Sequence, residues 1–212
     1  QARVDYQPLG VVGVISPWNF PIVLAFGPLA SIFAAGNRAM LKPSELTPRT
    51  STLLAELIAR YFDVNELSTV LGSAEVGALF SAQPFDHLIF TGGTAVGRHI
   101  MRAAADNLVP VTLELGGKSP VLVSRSADLA TVVQRVMTVK TFNAGQICLA
   151  PDYLLLPEEA LGEFVDEAVR FVSEMYPTLR GNPDYTSIID PRHFDRLRSY
   201  LADAHAKADA AS

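Results

Sequence analysis

Cysteine is almost absent from this sequence: Cys148 is the single one in 212 residues, so no disulfide forms within the chain. A disulfide-stapled scaffold is thereby excluded, and a reducing compartment, the cytoplasm, is expected. Long apolar runs are missing as well. None reaches the roughly 18–20 residues that cross a bilayer. The nearest, Val11 to Ile15 and Ile22 to Ala35, lie among Pro17, Asn19, Pro21 and Pro28. Gln1 to Tyr6 has no signal-peptide character. There is no tract of Lys or Arg, and the net charge is −5, so neither a nucleic acid nor a membrane is an expected partner. What is present is an ordinary globular composition, 49% hydrophobic and 18% charged, able to bury a core. The length suits one large domain, or one domain plus part of another. The chain lacks an initiator Met, and its Ala-rich end, Ala202 to Ser212, has no helix stop, as in a piece of something longer.

Short apolar runs alternate with helical patterns, which predicts βαβ units and a doubly wound, mostly parallel, Rossmann-like α/β sheet. Strands are expected at Val11 to Ile15, Ala39 to Lys42, Leu67 to Leu71, His87 to Phe90, Val109 to Glu114, Pro120 to Val123 and Tyr153 to Leu156. Helices are expected at Ile22 to Ala35, from Thr47 and Pro48 through Tyr61, and at Ala74 to Ala82 and Ala95 to Ala105. Further helices are expected at Asp128 to Phe142, Glu158 to Met175 and His193 to Ala206. Gly36 and Asn37 read as a helix stop, Thr47 as a cap and Pro48 as a first helical position. The best boundary falls near Glu114 to Gly117. It implies residues 1–8 as a bridging strand, 9–115 as a cofactor-binding domain and 116–212 as the first part of a second α/β catalytic domain.

Five runs carry chemistry. Asn143 to Cys148 ends in the lone thiol, and Glu114 to Pro120 sets an acid before a glycine pair. A thiol that attacks and a carboxylate that moves protons are the material of covalent catalysis. Taken alone, a single cysteine is more often a buried, inert small hydrophobe. Gly92, Gly93, Thr94, Ala95, Val96 and Gly97 follow a strand and open a helix, where free N–H groups favour an anion. A plain tight turn would read the same way. Lys42 to Glu45 closes another strand, able to meet a ribose or phosphate oxygen, with a solvated turn as the bland alternative. In Pro17 to Pro21, two prolines fix the backbone around Asn19, whose amide can donate to an oxyanion, and a Pro-rich turn with a packed Trp18 is the alternative.

In this order and spacing, the five runs resemble the NAD(P)-dependent aldehyde dehydrogenases, from about Val4 to the end of the chain. Cys148 to Tyr153 is most similar to the branch holding the class 3, fatty and coniferyl enzymes. Asp184 to Ile189, followed by Arg192, His193 and Phe194, fits the coniferyl type best. The resemblance implies that Cys148 attacks an aldehyde as thiolate, aromatic or medium-to-long-chain. The oxyanion is held by the Cys148 backbone N–H and the Asn19 amide. Hydride passes to the nicotinamide, leaving a thioester that Glu114 hydrolyses through water. Lys42 and Glu45 match adenosine-ribose contacts, and Gly92 to Gly97 match the turn beside the pyrophosphate. Ser16, Trp18 and Leu115 join them as cofactor-binding residues. No metal is implied.

Gly93 departs from the family, where many members carry Ser. Glu45 favours NAD over NADP, although this branch uses both. Glu114 argues against a relative that passes the acyl group to CoA. The family also implies a homodimer or homotetramer. Family members are much longer than this chain, so a catalytically silent nucleotide-binding fragment is the competing expectation.

Overall fold

The computed structural model describes residues 2–211. They divide into two compact units, with the boundary between Gly116 and Gly117 in the sequence. In the first unit the apolar runs become β1 (Val11–Ile15), β2 (Arg38–Lys42), β3 (Leu67–Thr69), β4 (His87–Thr91) and β5 (Val111–Glu114). Between them lie α1 (Val23–Ala34), α2 (Pro48–Tyr61), α3 (Ala74–Ser81) and α4 (Thr94–Ala105). The strands form one parallel sheet in the order β3-β2-β1-β4-β5. Winding runs outward from β1 through β3 and restarts at β4, so it reverses between β1 and β4. Sheets of this kind bind ligands beyond the carboxyl ends of the strands at that reversal.

Alternate residues of each strand face opposite sides. Val12, Val14, Ala39, Leu41 and Leu67 pack with Ala25, Leu29 and Ile32 of α1 and Ile58 of α2. On the other face, Ile15, Leu88 and Phe90 pack with Phe80 of α3 and Ile100 and Ala104 of α4. Leu41 and Leu88 are fully buried, and each such side chain contributes about 1.5–3 kcal/mol.

The expected stop after α1 works through Gly36, left-handed at φ +78°. Asn37 then ties the turn together: its Oδ1 accepts from the Leu9 and Gly10 N–H groups at 2.6 and 3.1 Å. Two local expectations are corrected. Thr47 stands at the N-cap of α2 but makes no side-chain capping bond. Its ψ of 61° is away from the extended value that aims a capping hydroxyl. β3 stops at Thr69, short of Leu71, as an edge strand paired only with β2. Residues 2–8 form neither helix nor strand, and Gln1 lies outside the described residues.

The second unit contains β6 (Ser119–Leu122), α5 (Leu129–Thr141), β7 (Pro151–Leu155), α6 (Leu161–Met175) and α7 (Pro191–Ala211). β6 and β7 pair in parallel across α5, with a register shift between Ser119 and Pro120. The helix expected from Glu158 begins instead as a 3₁₀ turn, Glu158–Ala160, ahead of α6. Val133 and Val136 of α5 and Ala168 of α6 are buried, while Leu122 and Leu155 on the two strands are exposed. Among the described residues, no helix is long and apolar enough to cross a membrane. Nor does any group of three or more His, Cys, Asp or Glu stand ready to hold a metal ion.

Candidate active site

The carboxyl edge of the first sheet collects most of the sequence-predicted residues. Ser16, just past β1, donates its N–H to the Lys42 carbonyl at 3.1 Å, joining the ends of β1 and β2. Its Oγ is buried without a hydrogen-bond partner among the described residues. Lys42 is 3% exposed, and its Nζ donates to Glu45 Oε2 at 2.9 Å. Pro43 and Ser44 are buried too, and the Ser51 hydroxyl donates to the Ser44 carbonyl at 2.7 Å. The solvated-turn alternative therefore fails. β2 is an inner strand, so its end lies inside the unit, and only Glu45 of this run is exposed. α3 passes close by, where a Cβ on Gly77 would lie 3.6 Å from Lys42 Cε.

Asn19, half-buried after β1, accepts the Phe20 N–H on its Oδ1 at 3.2 Å, which orients the amide. Phe20 in turn accepts from Leu24 N–H at the entry to α1. Beyond β4, Gly92 donates to the Glu114 carbonyl at 3.0 Å. A Cβ on Gly92 would come within 2.5 Å of Phe90 Cζ, and one on Gly97 within 2.9 Å of Leu115 Cδ2. Packing against the buried Phe90 ring therefore demands glycine at 92, whereas at 97 the end of the Leu115 side chain would have to shift. Gly93, at the N-cap of α4, faces open space. Thr94, Ala95 and Val96 follow it in the first helical turn, whose N–H groups favour an anion. Glu114 ends β5 and is exposed. The partnerless Ser16 hydroxyl, the buried Lys42 ammonium and the open space over Gly93 fit a dinucleotide lying along this edge.

Cys148 belongs to the second unit, on the loop between α5 and β7, and it is exposed. It is therefore not the buried side chain that the bland alternative expected. α5 leads there from Asp128, whose Oδ2 accepts from the Thr131 N–H and Oγ1 at 3.0 and 2.5 Å. These bonds hold the Asp128 carboxyl below the usual carboxylate range. The helix ends in a turn where Asn143, Ala144 and Gly145 are all left-handed, at φ 50°, 54° and 74°. Glycine takes this region freely and Asn tolerates it, but it costs an L-residue such as Ala roughly 1–2 kcal/mol. The Lys140 carbonyl would lie 3.0 Å from a Cβ on Gly145. Lys140 Nζ donates to the Pro151 carbonyl at 2.8 Å, linking the two flanks of the loop. On the β6 side, Gly117 lies beside the Cys148 carbonyl, 3.6 Å from where its Cβ would be, and Lys118 pairs with Asp152 at 2.6 Å.

Gln146 was not singled out from the sequence, yet its side chain makes three hydrogen bonds in and beyond this loop. Its Nε2 donates to the Asn143 and Ser187 carbonyls at 2.9 and 3.2 Å, and its Oε1 accepts from the Ile189 N–H at 3.0 Å. An amide between a glycine and the thiol was the only signal for it in the sequence.

A doubly wound sheet with cationic and hydroxyl groups at its carboxyl edge, followed in the sequence by a second α/β unit with an exposed thiol, defines the class as an α/β protein with a nucleotide-binding type of sheet. The chain belongs to the aldehyde dehydrogenase family, whose model matches residues 1–211. It is 84% identical over 98% of its length to coniferyl aldehyde dehydrogenase of Pseudomonas sp., of which it covers 43%. It is 44% identical over 95% of its length to aldehyde dehydrogenase family 3 member A2 of Rattus norvegicus, covering 42% of that protein. The crystal structure of Mycobacterium tuberculosis aldehyde dehydrogenase complexed with NAD⁺ superimposes with a TM-score of 0.85 at 34% identity, over 94% of this chain and 42% of that one. The chain thus spans less than half the length of the relatives it matches.

Proposed function

We propose that the protein oxidises an aldehyde to its carboxylic acid with NAD(P), coniferaldehyde or a similar aromatic aldehyde being the substrate. The observation that carries this reading is an exposed thiol beyond a left-handed turn, in a chain 84% identical to a coniferyl aldehyde dehydrogenase. Cys148 attacks the carbonyl carbon as thiolate and forms a thiohemiacetal. Its own backbone N–H and the Asn19 amide donate to the oxyanion. Residues 9–115 hold the cofactor: Lys42 and Glu45 at the adenosine ribose, and Gly92 to Gly97 beside the pyrophosphate. Ser16, Trp18 and Leu115 complete that set. The Glu45 carboxylate repels a 2′-phosphate, which favours NAD. The bound nicotinamide serves as hydride acceptor. Glu114 takes a proton from water, the resulting hydroxide attacks the Cys148 thioester, and the acid leaves as the thiol is restored. The working protein is a homodimer or homotetramer with residues 1–8 as the bridging strand.

The test is nicotinamide reduction by the full-length protein with coniferaldehyde, benzaldehyde and a fatty aldehyde. Cys148→Ala is expected to lower kcat by about 10³-fold or more. Glu114→Gln is expected to release one equivalent of reduced cofactor rapidly and then stall. Retained turnover in Cys148→Ala sinks the cysteine reading, and preference for the fatty aldehyde sinks the aromatic assignment.

A further inference from the structure

The left-handed run Asn143 to Gly145 needs an outside hold. Asn143 and Ala144 are not glycine, and strained backbone persists only where neighbours over-determine it. Inside the turn, the Gln146 N–H donates to the Asn143 carbonyl at 3.1 Å. The Gln146 side chain adds a second bond to the same carbonyl and then reaches out of the loop to Ser187 and Ile189. Both Nε2 hydrogens and the Oε1 are therefore engaged, one bond closing the turn and two clamping it to residues 187–189. That anchor is itself held. Asp190, next in the chain, accepts from the His193 N–H and the His193 ring at 2.7 Å each, at the start of α7. Lys140 ties the flanks of the loop together through the Pro151 carbonyl. The Gln146 amide joins the turn itself to a second segment, residues 187–189.

We infer that Gln146 is a positioning residue for the nucleophile: its amide locks the left-handed turn against residues 187–189, and so presents Cys148, two residues on, in one geometry. This inference rests on Cys148 being the nucleophile. Attack on a carbonyl demands that geometry, and a misplacement of about 1 Å costs on the order of 10²-fold in rate.

Two substitutions in the full-length protein test it. Gln146→Met keeps the length and the apolar stem but makes none of the three side-chain bonds. Gln146→Glu keeps the acceptor for Ile189 but sets oxygen against the Asn143 and Ser187 carbonyls. Both are expected to lower kcat about 10²-fold, Glu more than Met, with NAD affinity within about twofold of wild type. Alkylation of Cys148 by iodoacetamide, followed on its own peptide through a pH series, is expected to reach a lower plateau at high pH. A residue that merely stabilised the fold would leave that plateau, per folded molecule, unchanged. In Gln146→Met, kcat and plateau within about twofold of wild type would overturn the inference, as would losses that vanish on cooling once the protein is fully folded. Retained turnover in Cys148→Ala sinks the cysteine reading instead, while the alkylation arm still decides whether Gln146 positions this thiol.

Discussion

At the scale of single residues, neighbouring glycines of one turn do different work. A Cβ at Gly92 meets Phe90 Cζ at 2.5 Å, and Phe90 is a buried ring with nowhere to retreat. Gly92→Ser is therefore expected to destabilise the protein by about 1–3 kcal/mol, the usual range for overpacking. Gly93 faces open space at φ −75°, ψ 145°, the extended geometry of an N-cap. Gly93→Ser is expected to stabilise α4 by about 0.3 kcal/mol, since Ser caps slightly better than Gly. It is also expected to tighten NAD binding through an added hydroxyl. Urea titrations of the two variants check the signs, and calorimetry with NAD checks the affinity. Opposite shifts in the urea midpoint are the expected result. Glycines 92 and 93 look alike in the sequence. What separates them is the Phe90 ring, placed by the sheet.

At the scale of elements, the Cys148 loop depends on the helix that leads to it. α5 follows Asp128, which caps its start. Its carboxyl is lowered chiefly by the hydrogen bond from the Thr131 hydroxyl, then by the Thr131 N–H. A carboxyl lowered in the folded state adds stability that is present above its unfolded pKa, about 3.9. That stability is lost as pH falls through the lower folded value. Asp128→Ala is therefore expected to lower the unfolding temperature at neutral pH, with the gap from wild type closing in acid. Thermal unfolding over a pH series checks this, and a gap of constant size would contradict it. The far end of α5 was less legible. Asn143 and Gly145 favour a left-handed turn by themselves, but Ala144 has no such preference. Its φ of 54° is not one its own side chain favours.

At the scale of the whole molecule, the two units differ in how completely each buries its strands. β1 and β4 lie inside a five-stranded sheet covered on both faces, whereas β6 and β7 form a two-stranded pair with Leu122 and Leu155 exposed. Opening free energies follow burial. In the 212-residue chain, the amides of β1 and β4 are expected to exchange with solvent at least about 10²-fold more slowly than those of β6 and β7. Hydrogen exchange read by mass spectrometry checks this, and equal protection of the two sheets would contradict it. The sequence by itself determined the alternation of strands and helices, the boundary near Gly116 and the places of Cys148, Glu114 and the edge residues. Apolar runs, glycines and prolines act on their own few residues, so these features can be read locally. Tertiary structure alone decided the strand order, the burial of Lys42 at the end of an inner strand and the partnerless Ser16 hydroxyl. It also decided the clamp by which Gln146 reaches Ser187 and Ile189, 41 and 43 residues away. Each of these depends on contacts between segments far apart in the chain, and only a completed fold brings such segments together.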